Sequence, residues 1–432
     1  MIRLVYSLLG YALLPAALLR LLWRSRRLPA YRQRLAERCG WQRPVAAGGL
    51  WLHAVSVGEV VAAAPLIESL SAREPLLVTT TTPTGAERLA ALFGDRVAHR
   101  YLPYDTPTAA ARFFDRHRPR AGLIMETELW PNLFAAARRR GVPMALLNAR
   151  LSARSARRYA RVPGLIAPAL AGLRLVAAVG KADARRLAVL GADRRRLRIS
   201  GNIKFDQALS RGGGAALPAL RGVSGVRPVW VAASTHAGEE ALVLAAHRRV
   251  LETHPAALLL LAPRHPDRFV RVAALLDAAG LSWVRRSALP ASGGAVPAHC
   301  RVVLGDSMGE LPGYYAAADL AFVAGSLLPH LGGHNVLEPA LLGKPVLCGA
   351  HTMNFQDIVA AMARADAVRV VADAPALAAA ATEWLTHADR RARWAANASA
   401  FVRANQGALG RTMAALADSG LLRPVSRDAR HP

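Results

Sequence analysis

Cysteine is scarce in this chain: Cys39, Cys300 and Cys348 are the only three in 432 residues. They are too few and too scattered for a disulfide framework or a zinc site, so the body belongs in a reducing, cytoplasmic setting. Acid is scarce as well, with 29 Asp and Glu against 56 Lys and Arg and a formal charge of +27. A chain so poor in acid seeks anionic partners, meaning nucleic acid, a phospholipid surface or phosphorylated substrates. Part of the charge reflects an Ala- and Arg-rich composition. Nucleic acid fits poorly, because stacking motifs are absent at 6% aromatic residues and the basic residues are dispersed rather than striped. Long polar tracts are missing too, and 53% hydrophobic residues argue for a folded chain with room for two domains. Neither Gly180-Lys181 nor Gly343-Lys344 has the other residues of a P-loop, and no dinucleotide fingerprint is present.

One long apolar run is present, at the amino terminus. From Leu4 to Leu19 there is no charge, somewhat short of the roughly 20 residues of a comfortable membrane span. Arg3 and Arg20 extend it by snorkelling, and Tyr6, Tyr11 and Trp23 are residues that settle at membrane interfaces. Arg24, Arg26, Arg27, Arg32 and Arg34 follow, so the positive-inside bias places the body in the cytoplasm. With no small-residue cleavage site, the expectation is an uncleaved single-pass anchor over residues 1–27, or at least a helix lying in the membrane plane.

Downstream, short apolar runs alternate with amphipathic helical stretches. Strands are expected at 49–55, 75–81, 120–126, 142–148 and 173–180, and again at 228–235, 257–263, 300–306, 320–326 and 345–350. Alternation of this length makes βαβ units and parallel sheets. A glycine- and proline-bearing stretch without periodicity separates the two sets. The expected organisation is therefore two doubly wound, Rossmann-like α/β domains, 28–210 and 228–420, facing each other across a cleft and joined by a linker over 211–227. Ligands of such sheets bind beyond the carboxyl ends of the strands, where all the motifs of this chain fall.

In WLHAVSVGEV the strand ends near Ser56, Gly58 permits a turn, and Glu59 opens a helix. Glu59 either stabilises the helix start or serves as a general base with a raised pKa. METELWPNLF repeats the design with Glu126 and Glu128, whose spacing of two would aim both to one side of an emerging strand. The Arg-rich loop NARLSARSARRY is either a phosphate binder or solvated charge. Lys204 in SGNIKFD stands between apolar neighbours, as an edge residue or as a neutraliser of phosphate or carboxylate.

In the second half, Arg264 and His265 follow a strand, and GDSMGEL leaves another through two glycines. GSLLPHLGGHNVLEP does the same with Gly332 and Gly333, and ends on Asn335 as a helix cap and Glu338 in the first helical turn. Three anion-friendly loops at successive strand ends make a nucleotide-site signature. His330 and His334 have a metal-like spacing, but their loop has no carboxylate at ligand spacing, so no metal is expected.

WLHAVSVGE, METELWPN, GNIKFD, ASTHAGEE, PRHPDRF, GDSMGEL and GGHNVLEPALLGKPV, in this order behind an amino-terminal anchor, resemble the 3-deoxy-D-manno-octulosonic acid (Kdo) transferases of lipopolysaccharide synthesis. The resemblance runs from the anchor to about residue 410. It implies a GT-B fold and inverting, metal-independent and cofactor-free transfer of Kdo from CMP-Kdo to a lipid A precursor (lipid IVA). The enzyme would work at the cytoplasmic face of the inner membrane, with no nucleic acid and no obligate protein partner. The general base falls on Glu59, and transition-state support on Glu128 and Lys204. CMP contacts fall on Pro263, Arg264, Met308, Gly309, Glu310, Asn335, Val336, Leu337 and Glu338. Another GT-B enzyme using a UDP-sugar on a lipid precursor is the nearest rival, and a membrane-tethered nucleic-acid-binding protein is the more distant one.

Overall fold

A computed structural model describes residues 1–206, 227–289 and 296–423. The chain divides into two units, Met1–Gln207 with Gln406–Pro432, and Ala208–Asn405. Apart from Arg227, the linker expected over 211–227 lies outside the described residues.

The first unit is built on a parallel sheet of β1 (Leu50–His53), β2 (Leu76–Thr80), β3 (Ala98–Tyr101), β4 (Ala121–Met125), β5 (Met144–Ala149), β6 (Leu175–Ala178) and β7 (Leu197–Ile199), in the order β3-β2-β1-β4-β5-β6-β7. The second is built on β8 (Val229–Thr235), β9 (Leu258–Pro263), β10 (Trp283–Arg285), β11 (Val302–Leu304), β12 (Leu320–Val323), β13 (Val346–Gly349) and β14 (Arg369–Val371), in the order β10-β11-β9-β8-β12-β13-β14. Two seven-stranded parallel sheets, each covered by helices, are the architecture that the sequence pattern anticipates. All ten strands expected from the apolar runs are present. The four that the pattern misses, β3, β7, β10 and β14, are the edges of the two sheets. Each carries an arginine (Arg100, Arg198, Arg285, Arg369) and is partly exposed, as edge strands must be to discourage further pairing.

Inner strands are apolar on both faces because helices cover both. In β1, Leu50 and Leu52 enter one core layer while Trp51 enters the other, against Phe113 and Phe114 at ring distances of 4.8 and 5.7 Å. In β8, Trp230 is fully buried and donates its indole N–H to His247 Nδ1 at 3.0 Å.

The division of the chain departs from expectation in one respect. The second unit ends at Asn405, not at 420, because the helix Ala408–Asp418 packs on the first unit instead. Its apolar face, including Ala408, Ala415 and Leu416, joins the core layer of Leu50 and Val60. The Asp206 carboxylate accepts the N–H groups of Gly407 (2.7 Å) and Leu409 at the start of that helix, and Arg411 donates to the Ser200 carbonyl at 2.8 Å. Losing a charged acceptor of orphan helix N–H groups costs about 1–3 kcal/mol. Asp206→Ala should therefore lower the denaturant midpoint of the first unit by a corresponding amount, whereas Asp206→Asn, which retains an acceptor oxygen, should recover part of it.

The amino-terminal helix, Ile2–Arg24, is among the described residues the one long and apolar enough to cross a membrane. Leu4, Val5, Leu8, Leu9, Leu13, Leu19, Leu22 and Trp23 are exposed along it.

Candidate active site

The order of each sheet reverses direction between two neighbouring strands, β1 and β4 in the first, β8 and β12 in the second. At such a switch point the following loops run to opposite sides and leave a crevice beyond the carboxyl ends.

In the first unit, Glu59 follows β1 in the first turn of the helix Val57–Ser71, and Glu126 and Glu128 follow β4. Glu59 Oε2 accepts the Val55 N–H at 2.8 Å, so the helix-start role weighed from the sequence is real. It is not the whole account, because burial pushes the Glu59 carboxyl up to about 8 against that bond. The charges of Glu126 and Glu128 push in the same direction, and Lys204 opposes them. Three charged residues from two other motifs are thereby in electrostatic reach of the Glu59 carboxylate. The Glu128 carboxyl is raised as well, by burial first and by the charge of Glu126 second.

Two local expectations are corrected here. Glu126 and Glu128 do not alternate on a strand, since β4 stops at Met125 and Glu126 takes a left-handed conformation with φ of 55°. Glu126 turns to Arg150 at 3.6 Å, and Glu128 is left beside Trp130. The Arg-rich stretch after β5 is not a loop but the helix Ala153–Tyr159, capped by Ser152.

Asn148 was not singled out by sequence reasoning. It stands next to last in β5 in a left-handed conformation (φ 51°), fully buried, and its Oδ1 accepts the Ile203 N–H at 3.1 Å. That bond fixes the segment that carries Lys204. The signal was faint: an asparagine closing an apolar strand, which tolerates left-handed backbone.

In the second unit, the loop after β12 is held from below by Glu239, fully buried at the start of the helix Glu239–Thr253. Its carboxylate accepts the N–H groups of Gly325 (2.7 Å), Ser326 (2.9 Å), Leu327 (2.9 Å) and His236 (3.3 Å). Its neighbour Glu240 pairs with Arg268 at 3.1 Å and fixes the loop after β9. Both acids come from ASTHAGEE, whose pair of glutamates after a strand was the available signal, yet nothing in the sequence said what they would hold. Gly325 has a φ of 71°, and a Cβ there would meet the His334 ring at 2.5 Å, so only glycine lets that ring lie on the loop.

His334 pairs with His236, not with His330, which is exposed. The two Nε2 atoms are 2.7 Å apart with the rings 8° from parallel, so one ring donates to the other. Burial holds His334 down to about 4 and lowers His236, and the charge of Arg264 lowers both further. Among the described residues no group of three or more His, Cys, Asp and Glu is placed to hold a metal ion.

The residues expected to contact CMP lie at the end of β9 and on the segments that follow β9, β11 and β12. Pro263 is buried and Arg264 exposed. Met308 is exposed, and Gly309 (φ 85°) has open space around it. The Glu310 carboxylate is taken up by Arg286 (3.2 Å), Ser307 and Tyr314 (3.1 Å). Val336 and Leu337 bury their side chains in the core, which leaves main-chain groups for any ligand. Asn335 donates to Glu338 Oε1 at 3.1 Å and accepts the Leu337 N–H at 3.1 Å. The helix they open is only Leu337–Leu341, with Val336 rather than Asn335 as its first flanking residue, so its dipole is small and the side chains themselves carry the polarity.

Two Rossmann-like parallel sheets with polar groups gathered beyond their switch points define a glycosyltransferase of the GT-B class. The family model described as 3-deoxy-D-manno-octulosonic-acid transferase (kdotransferase) matches residues 33–207, and that of group 1 glycosyl transferases matches residues 226–401. A 3-deoxy-D-manno-octulosonic acid transferase of Haemophilus influenzae is 42% identical over 395 residues, covering 89% of this chain and 91% of that protein. One of Bordetella pertussis is 44% identical over 382 residues, covering 86% and 87%. The chain belongs to the 3-deoxy-D-manno-octulosonic acid transferase family and is a Kdo-transferring enzyme. The UDP-GlcNAc 2-epimerase of Neisseria meningitidis shares the fold, with a TM-score of 0.55 at 13% identity over 86% of this chain and 99% of that one.

The Glu239 network sets the shape of the loop after β12, so its loss should act on stability. Removing a buried carboxylate that satisfies several N–H groups should cost about 3 kcal/mol. Glu239→Ala is expected to lower the unfolding midpoint of the second unit by that order and to weaken nucleotide binding with it, read by thermal melts with and without CMP.

Proposed function

We propose that this enzyme moves Kdo from CMP-Kdo to a phosphorylated lipid A precursor, lipid IVA, with inversion at the anomeric carbon and without a metal or other cofactor. The observation that carries the reading is the set around Glu59: a carboxyl raised to about 8, two further acids beside it, and Lys204 within electrostatic reach. A base whose pKa lies near working pH has the best balance of ionised fraction and proton affinity.

In this scheme the second unit binds the nucleotide through the loops of Arg264, Met308–Glu310 and Asn335–Glu338, with Glu338 accepting from ribose hydroxyls. The first unit supplies the base. The acceptor's glucosamine hydroxyl oxygen attacks the anomeric carbon of Kdo, and its proton passes to the Glu59 carboxylate. The bond from that carbon to the CMP phosphate oxygen breaks with its electron pair on the phosphate. A phosphate is a good leaving group, so cations that meet its charge suffice, and Lys204 and Arg264 are the ones assigned here. Glu128, whose carboxyl is raised by burial and by the charge of Glu126, supports positive charge developing on the sugar when ionised. The same reading places the enzyme on the cytoplasmic face of the inner membrane, where an acylated acceptor is held, and the surplus of basic charge suits both phosphates and anionic lipid.

A UDP-sugar donor is the competing reading, and inhibition by CMP but not by UDP separates the two. Glu59→Gln retains the shape of the side chain but cannot take a proton, so turnover should fall by about 10²–10⁴ while CMP-Kdo still binds. Retention of more than about a tenth of wild-type single-turnover rate would remove Glu59 from the mechanism. Because the base acts ionised, kcat/KM should rise with pH up to about 8 and level off above it. The folded carboxyl holds its proton above its ordinary range, so ionisation between that range and about 8 destabilises the fold. Glu59→Gln should therefore melt no lower than wild type at pH about 8 and above, an outcome opposite to that of a purely structural helix cap. Glu338→Ala should weaken CMP binding by about 1–3 kcal/mol, measured by calorimetry, with little change in the melting temperature of the free protein.

A further inference from the structure

The amino-terminal helix does not leave the body. Tyr6 donates to Asp105 Oδ2 at 3.0 Å, the buried Ser7 hydroxyl donates to Asn132 Oδ1 at 3.0 Å, and Tyr11 donates to Thr108 Oγ1 at 3.0 Å. Asp105 in turn accepts the N–H groups of Asn132 (3.0 Å) and Leu133 (2.8 Å), the first residues after the Glu128-Trp130 segment. A helix tied to the first unit over residues 6–11 and resting on the helices Pro131–Arg139 and Pro163–Ala171 runs along that unit rather than projecting from it. Its outward leucines, with Trp23 and the exposed Arg24, Arg26 and Arg27 at its end, are the features of a helix lying in the interface plane.

Between this helix and the body runs an open groove of about 360 Å³. Leu9, Gly10, Leu13, Leu14 and Ala17 form one wall, and Tyr104–Thr106 with Trp130 form the other. Residues 6 to 17 span about 16 Å at helical rise, the length of a medium-chain fatty acyl group. Two contents of the site speak for such an occupant. Trp130 is a wall of the groove and stands two residues after Glu128, so the groove borders the segment that carries that acid. At the carboxyl-terminal end of the helix the charge of Arg20 reaches Tyr104, with Arg24, Arg26 and Arg27 beyond it, a cationic rim for the phosphates of an acylated acceptor.

We propose that this groove seats one fatty acyl chain of the phosphorylated glycolipid acceptor, and that the amino-terminal helix is a docked, in-plane wall of the acceptor site rather than a transmembrane anchor. The proposal rests on the acceptor class proposed above. Gly10 is the place to test it, since a Cβ there meets only ordinary contacts at 3.8 Å while a larger side chain fills the groove.

The experiment uses the full chain in detergent micelles, with a tetra-acylated glucosamine disaccharide bisphosphate and its fully deacylated counterpart as acceptors. Gly10→Phe, and separately Ala17→Phe, should lower kcat/KM on the acylated acceptor about tenfold or more relative to the deacylated one, as expected for excluding a few methylenes, mainly through KM, with the KM for CMP-Kdo unmoved. An acylated acceptor carrying a diazirine near the chain terminus should label peptides containing residues 9–17 or 104–106, and phosphatidylethanolamine in excess should not displace it. Equal losses on both acceptors, no loss on either, labelling elsewhere, or displacement by the bulk lipid would each overturn the proposal. Wild-type protein that transfers to neither acceptor would overturn the functional reading instead, and the labelling would still be scored. Ala17→Phe guards against misfolding at Gly10, and circular dichroism melts of both variants establish that the fold is intact.

Discussion

Parallel strands covered by helices on both faces have no solvent side, and in this protein every inner strand is buried along its length except at Ser234 of β8. Polar side chains with chemical work to do are therefore confined to the loops beyond the carboxyl ends, and the crevices open where the strand order reverses, between β1 and β4 and between β8 and β12. Glu59, Glu126, Glu128 and Lys204 gather at the first of these. His236, His334 and the glycine loop before His334 gather at the second. The rest of the architecture keeps those loop ends in place.

The two units use a carboxylate in the same topological position for opposite ends. Each sheet's first strand is followed by a helix with a glutamate in its first turn, Glu59 after β1 and Glu239 after β8. Glu239 is enclosed by four N–H donors from two loops and acts as a clamp. Glu59 receives the Val55 N–H and is otherwise pressed by burial and by two like charges, so it holds its proton well above the usual carboxylate range. The number of N–H donors facing the carboxylate sets the two apart. Left-handed backbone at Glu126, Asn148 and Ser234 (φ 55°, 51° and 61°) marks the same strand ends, where strain is tolerated because neighbouring hydrogen bonds over-determine the loops.

Both ends of the chain are tied to the first unit. The helix Ala408–Asp418 returns to it across Asp206, two residues from Lys204, and so buttresses the segment that carries the lysine. The helix Ile2–Arg24 rests on it through Tyr6, Ser7 and Tyr11, beside the segment that carries Glu128. Elements that sequence order would place at the periphery thus border the segments that carry Lys204 and Glu128.

The sequence by itself determined the inner architecture. Ten apolar runs separated by helical stretches of regular length admit little besides two doubly wound sheets, since a strand buried on both faces must be apolar throughout. Edge strands escaped it because they share their burial with solvent and mix arginine into the pattern, as in Arg198 of β7 and Arg369 of β14. Motif by motif, the sequence also placed Glu59, Glu128, Lys204 and the nucleotide-side loops at strand ends, because period and punctuation are local properties. Only the tertiary structure decided that Asn148 fixes the Lys204 segment, that Glu239 is consumed in shaping a loop, that His334 pairs with His236 rather than His330, and that both terminal helices dock on the first unit. Each of these depends on which hydrogen-bond donor or apolar face meets a group many residues distant, and that pairing is set by the folding of the chain in space, not by the spacing of residues along it.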